Sequence, residues 1–163
     1  MGRLAGKLTA LLFISILALT FAYPVNGLAY TYGAPNEEKV AEAYKAIVSA
    51  LGQNPPDYAT VSSQLDGIKA EMEKEFGSDQ VNRVQEAINN QDSGRIISEF
   101  QVVLVRNVER RLDNLGKIFD DYPQAKLLLA KAQATYTALA PTVQEKNPET
   151  DQEISDCFNQ ALE

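Results

Sequence analysis

An all-α fold, an antiparallel up-and-down bundle of about six helices with four long members, follows from three observations. Apolar residues recur at the spacing of one helical face through nearly the whole polar part of the chain. No run alternates apolar and polar residues as a half-buried strand does, and no glycine-rich phosphate loop appears. Capping residues and prolines punctuate the pattern at short intervals, as in "DDYP" and "KNPE". Helices joined by short connections each bury one stripe against neighbours, and the economical solution is a bundle.

The elements follow in order. Asn36 caps a first helix over 37–51, with Glu37 and Glu38 at the positive end of its dipole, and Gly52 stops it. Its inward face is Val40, Ala41, Tyr44, Ile47, Val48 and Leu51. The prolines of "GQNPPDY" cannot continue a helix, and Asp57 or Asn54 caps the next. That second helix carries Tyr58, Val61, Leu65, Ile68, Met72 and Phe76, and Gly77 ends it. Ser78 and Asp79 open a shorter third helix with Val81, Val84 and Ile88 inward, ending at "NNQDSG".

The fourth helix keeps its period from Ile96 through Ile97, Phe100, Val103, Leu104, Val108, Leu112, Leu115 and Ile118 to Phe119, which predicts a rod about 37 Å long. Asp121 caps the fifth, with Pro123 in its first turn, where a missing amide hydrogen costs nothing. Ala125, Leu128, Leu129, Ala132, Tyr136 and Leu139 face inward as far as Pro141, the expected end. Asn147 and Pro148 repeat the pattern and open a sixth helix to the C-terminus. The first, second, fourth and fifth helices are the expected long members.

Ahead of the bundle, "LTALLFISILALTFAYPVNGLAY" has no charged residue and follows Arg3 and Lys7. A basic start, an apolar core and the small residues of "PVNGLA" predict a secretory signal over 1–29 cleaved after Ala29, and Tyr30 to Asn36 form a flexible mature N-terminus before a bundle domain over 37–163. The competing reading is an uncleaved anchor, because the run is long enough to span a bilayer, although Pro24, Asn26 and Gly27 interrupt it. Either reading exports the rest to a periplasm or extracellular space. Removing 29 of 163 residues takes Arg3 and Lys7 with them, so 13 cationic and 22 acidic residues remain and the charge is −9. That balance disfavours nucleic acid and anionic membrane surfaces as partners.

The chain has no histidine, which removes the ordinary general base, the commonest metal ligand and the usual serine and cysteine triads; the expectation is a non-enzyme without a bound cofactor. The one cysteine, Cys157, lies in "EISDCFNQAL" among Ile154, Phe158, Ala161 and Leu162 and reads as a small core residue. In "EMEKEFG", Glu71 and Glu75 sit one turn apart and could hold iron or another hard cation through oxygen; the alternative is a solvated face interspersed with Lys69 and Lys74. Glu37, Glu38 and Glu42 form a similar acidic patch. Arg106 and Arg110 present a basic patch suited to an anion or acidic partner, or else make intrahelical pairs and rim contacts. Tyr44, Tyr58, Tyr122 and Tyr136 lie on or beside the apolar stripes and read as buried rings with hydroxyls at the bundle edge, or as the lining of a cavity.

The segment "NVERRLDNLGKIFDDYPQAKLLLAKAQATYTALAPTVQEKNP" resembles the exported helical region ahead of the membrane part in some bacterial high-affinity iron permeases. It covers roughly a third of the chain, through a long arginine-rich helix, an aspartate-tyrosine turn and an alanine- and lysine-rich helix ending in Ala-Pro. The chain lacks that family's multi-span region and its Arg-Glu-x-x-Glu motif. The resemblance implies an accessory domain in iron uptake and assigns no site residue. Composition and architecture together favour an exported helical domain that binds a protein at the cell envelope, with cation binding as the alternative and the oligomeric state left open.

Overall fold

The computed structural model describes residues 38–163. The expected signal segment 1–29, the N-terminus 30–36, the Asn36 cap and Glu37 of the expected acidic patch lie outside the described residues. Six helices follow: α1 (Lys39–Leu51), α2 (Tyr58–Phe76), α3 (Ser78–Asn89), α4 (Ser93–Lys117), α5 (Tyr122–Lys146) and α6 (Pro148–Leu162). Among the described residues there is no strand, and the fold is the all-α bundle that the apolar periodicity predicts.

Several boundaries rest on local chemistry that the sequence displays. Asp57, Asp92, Asp121 and Asn147 each accept a hydrogen bond from the backbone amide three residues on, and so cap α2, α4, α5 and α6. Pro123 and Pro148 occupy first turns. Gly77 separates α2 from α3 with φ of 88°, in the left-handed region that L side chains avoid. Asp57 has its carboxyl held below the usual range, first by the hydroxyl of Thr60 and then by that residue's amide.

Two expectations about length are corrected. The first helix spans only 13 residues, so the long members are α2, α4 and α5, with 19, 25 and 25 residues. The fifth does not stop at Pro141 but runs to Lys146. Pro141 is exposed, while Thr142 and Val143 beyond it are anchored: the Thr142 hydroxyl accepts from Gln101, and Val143 packs in an apolar cluster. An interior proline costs about 3 kcal/mol, and these contacts offset it.

Consecutive helices pack antiparallel. Between α1 and α5 the direction is shared, since Glu38 meets Lys131 while Tyr44 and Thr142 are bridged by Gln101. The main core joins α1, α2, α3 and the first half of α4, with Ile47, Val61, Leu65, Met72, Val84, Ile96, Phe100 and Leu104 all fully buried. Ala138 and Leu139 of α5 close it. A smaller cluster of Ala132, Tyr136 and Phe158, flanked by Val108, Leu129, Val143 and Ile154, joins α6 to α5.

Candidate functional site

Two features distinguish the middle of the bundle from its α4–α5 end: a buried charged girdle and, beyond it, an open apolar groove.

The girdle is built on Glu38, the residue before α1, which is 2% exposed. Its carboxylate accepts from Arg111 Nη2 at 2.7 Å and from Asn107 Nδ2 at 3.1 Å, and lies 3.3 Å from Lys131 Nζ. Asn107 also donates to the Thr135 hydroxyl at 3.3 Å and accepts from Arg110 Nη2 at 2.7 Å. Arg110 reaches on to Glu75 of α2 at 2.8 Å and lies over the Phe76 ring, 5.9 Å from its centre. One connected set of polar contacts therefore ties α1, α2, α4 and α5 together at one level. A second set joins α3 to α4: Gln80 and Arg83 both donate to Glu99, Arg83 also donates to Gln80, and Arg106 donates to Gln80.

These charges are largely consumed within the fold. A buried carboxylate with two cationic partners and an amide donor is stable where an isolated one is not. Among the described residues, the Nε atoms of Arg110 and Arg111 are buried without a hydrogen-bond partner, so the guanidinium groups bond through their Nη ends alone. The girdle positions helices.

The residues singled out in the sequence fall as follows. Glu75 is held by Arg110 and by Lys74 at 3.2 Å. Glu71 lies half-buried one turn before it. Among the described residues no group of three or more potential metal-ligating side chains converges. Glu38 and Glu42 do not share a solvated patch: Glu38 is buried, whereas Glu42 pairs on the surface with Lys45. Arg110 forms its ion pair with Glu75 on a neighbouring helix while its hydrogen bond to Asn107 stays within its own, and Arg106 reaches α3. Tyr44 and Tyr136 are buried as expected, and the Tyr136 hydroxyl donates to Asp151 at 2.7 Å. Burial first, and then Asp151, push that phenol up to about 12. Half-buried Tyr58 donates to the Gln91 carbonyl at 2.7 Å.

Tyr122 and Cys157 are corrections. Tyr122 is 66% exposed, and Cys157 is exposed and free. Leu112 and Phe119 also belong here: the helical period turns them toward a core, yet they are 42% and 76% exposed. The reason is one of length. Tyr58 meets Gln91 and Ser93 at the start of α4, and α2 reaches its end where Glu75 meets Arg110. The last two turns of α4 and the first two of α5 continue past that level, where α2 supplies no cover.

Beside this overhang lie two adjoining apolar hollows of about 350 and 430 Å³. Leu115, Phe119, Tyr122, Ala125 and Lys126 line one, and Leu112, Glu153, Ile154, Cys157 and Phe158 line the other. Leu129 and Ala161 belong to both, which makes the pair one continuous groove between α4, α5 and α6. Lys126, with its ammonium 5.9 Å from the centre of the Tyr122 ring, lines the first hollow, and Glu153 lines the second.

No family model, characterised protein or solved structure matches this chain.

The groove escaped the sequence reading because an apolar stripe looks the same whether or not a neighbour covers it. Asn107 left a signal: it recurs on the face of Phe100 and Leu104, so a polar side chain occupies a core register there. Such a residue demands a buried partner.

Proposed function

We propose that this protein is an exported, non-catalytic helical domain that acts by binding a protein partner at the cell envelope through the α4–α5–α6 groove. The observation carrying this reading is the contiguous apolar surface around Leu112, Phe119, Tyr122 and Leu129, since connected apolar surface with a polar rim is what a protein-binding site presents. Phe119 and Tyr122 are large, rigid anchors of the kind that dominate interface energy. The lack of histidine and the engagement of Arg110, Arg111, Glu38 and Glu75 in mutual pairs favour binding over catalysis. Export rests on the charge-free run after Lys7. Among the described residues no helix is long and apolar enough to cross a membrane.

The test is site-specific photocross-linking in producing cells from position 119, with exposed Ser63 on α2 as control. A discrete adduct from 119 and none from 63 is expected; no adduct from 119 overturns the reading. Hard-cation binding at Glu71 and Glu75, as for an iron-uptake accessory, requires a metal to displace Arg110 from Glu75. Native mass spectrometry with iron, calcium or magnesium tests it, and a stoichiometric ion lost in Glu75→Gln would establish it.

A further inference from the structure

The two lips of the groove carry charge of one sign, and that sign defines what fits between them. We propose that the partner enters the groove as a basic amphipathic helix, its apolar face against the groove and its lysines or arginines along both edges. This inference rests on the groove being a protein-binding surface and names the chemistry of what binds there.

The lips follow from the helical period. On α4, Glu109, Asp113 and Asp120 fall about 60 to 100° round the helix from Leu112, on the side away from Leu115. On α6, Glu149, Glu153 and Asp156 fall about 40 to 100° round from Cys157, on the side away from Phe158. All six are exposed. Between the two helices α5, which packs against both, supplies Ala125 and Leu129 to the apolar surface.

The fold does not neutralise these acids. Among the described residues the ion-paired carboxylates are Glu38, Glu42, Glu75, Glu86 and Glu99, and none of the six is one of them. Of the six described helices, α6 alone contains no lysine or arginine. Arg110, Arg111 and Lys131 are drawn to Glu75 and Glu38, so Lys117 and Lys126 are the cations left beside the groove. Two positive charges against six negative ones leave −4 there.

Apolar burial supplies the affinity, and the lips select the sign. An amphipathic helix seats its apolar ridge in a groove of this kind. Cations on both flanks of that ridge meet the α4 and α6 lips, whereas acids on those flanks meet like charge on either side.

Fluorescence anisotropy tests the inference with a labelled synthetic peptide of about 18 residues, five helical turns, that presents one leucine face flanked on both sides by lysines. An otherwise identical peptide with glutamates in place of the lysines is the comparison, and circular dichroism verifies that each protein variant is folded. The lysine peptide is expected to bind, and the glutamate peptide to bind at least tenfold more weakly. The double variant Asp113→Lys with Glu153→Lys is expected to weaken binding of the lysine peptide at least tenfold, as is Leu112→Ala with Phe119→Ala. Glu73→Lys reverses an exposed acid on α2, away from the groove, and is expected to change binding less than about twofold. Absence of binding by the lysine peptide, or equal binding by both peptides, overturns the inference. A loss in Glu73→Lys as large as that in the groove variant overturns it as well, because the attraction is then spread over the whole acidic surface. The photocross-link from position 119 separates this failure from that of the broader reading: an adduct whose cross-linked segment has no lysine or arginine flanking its apolar residues leaves partner binding standing without the basic helix, and no adduct removes both.

Discussion

The two halves of α4 obey one sequence rule and meet different fates. Ile96, Phe100, Val103 and Leu104 of the apolar stripe are fully buried in the core shared with α1, α2 and α3, while Leu112, Leu115 and Phe119 of the same stripe line an open groove. Helical periodicity marks the face that water disfavours, and whether that face becomes core depends on which other helices are long enough to reach it. Charges mark the join. Arg110 and Arg111 stand where the closed core ends, each paired with a carboxylate on another segment, Glu75 and Glu38.

Substitutions on either side of the join are expected to separate the two halves sharply. Phe100→Ala removes a ring with no exposed surface and is expected to cost about 4 kcal/mol in urea denaturation, whereas Phe119→Ala is expected to change stability by no more than about 0.5 kcal/mol. Equal losses would mean that the groove is as closed as the core. At the join, Glu38→Ala leaves Arg111 and Lys131 without their shared carboxylate and is expected to cost about 3 kcal/mol by the same assay. Hydrogen exchange should then quicken first in the opening turn of α1, which Glu38 ties to α4 and α5.

A smaller effect is expected at the α2 cap. Asp57→Ala removes the acceptor of the Thr60 amide and hydroxyl, for a loss smaller than that of Glu38→Ala in the same urea denaturation. Because the folded protein holds the Asp57 carboxyl below its ordinary value of 3.8, its contribution is present above that pH and fades as pH falls through the lowered value. The difference between wild type and Asp57→Ala should shrink accordingly in acid titrations.

The least effect at neutral pH concerns the link between α5 and α6. Tyr136 is raised to about 12 in the fold, so its contribution is complete below the ordinary phenol value of 10 and falls away as pH rises from there toward 12. Tyr136→Phe should abolish that alkaline dependence while leaving the packing against Phe158 intact. Thermal unfolding between pH 9 and 12 distinguishes the two proteins.

Much of the bundle was legible in the chain because its punctuation is local. Asp57, Asp121 and Asn147 cap by bonding an amide three residues away, a geometry that needs no tertiary partner. Pro141 shows where local rules fail: its missing amide predicts an end, and distant contacts at Thr142 and Val143 carry the helix five residues further. The girdle was only partly legible. Arg106 and Arg110 stood out as a basic pair, but their partners Gln80 and Glu75 are 26 and 35 residues away, beyond the reach of a helical spacing argument. Cys157 was misread for a related reason, since its apolar neighbours share a helix with it but leave it on the open side of the stripe.

The sequence by itself determined the helices, most of their ends and the faces they turn from water, because these follow from backbone hydrogen bonding, capping and the 3.6-residue period. Only the tertiary structure decided that Glu38 is buried, that Arg110 crosses to α2, and that the last turns of α4 form a groove. Those outcomes depend on the relative lengths and registers of helices far apart in the chain, which local spacing does not encode.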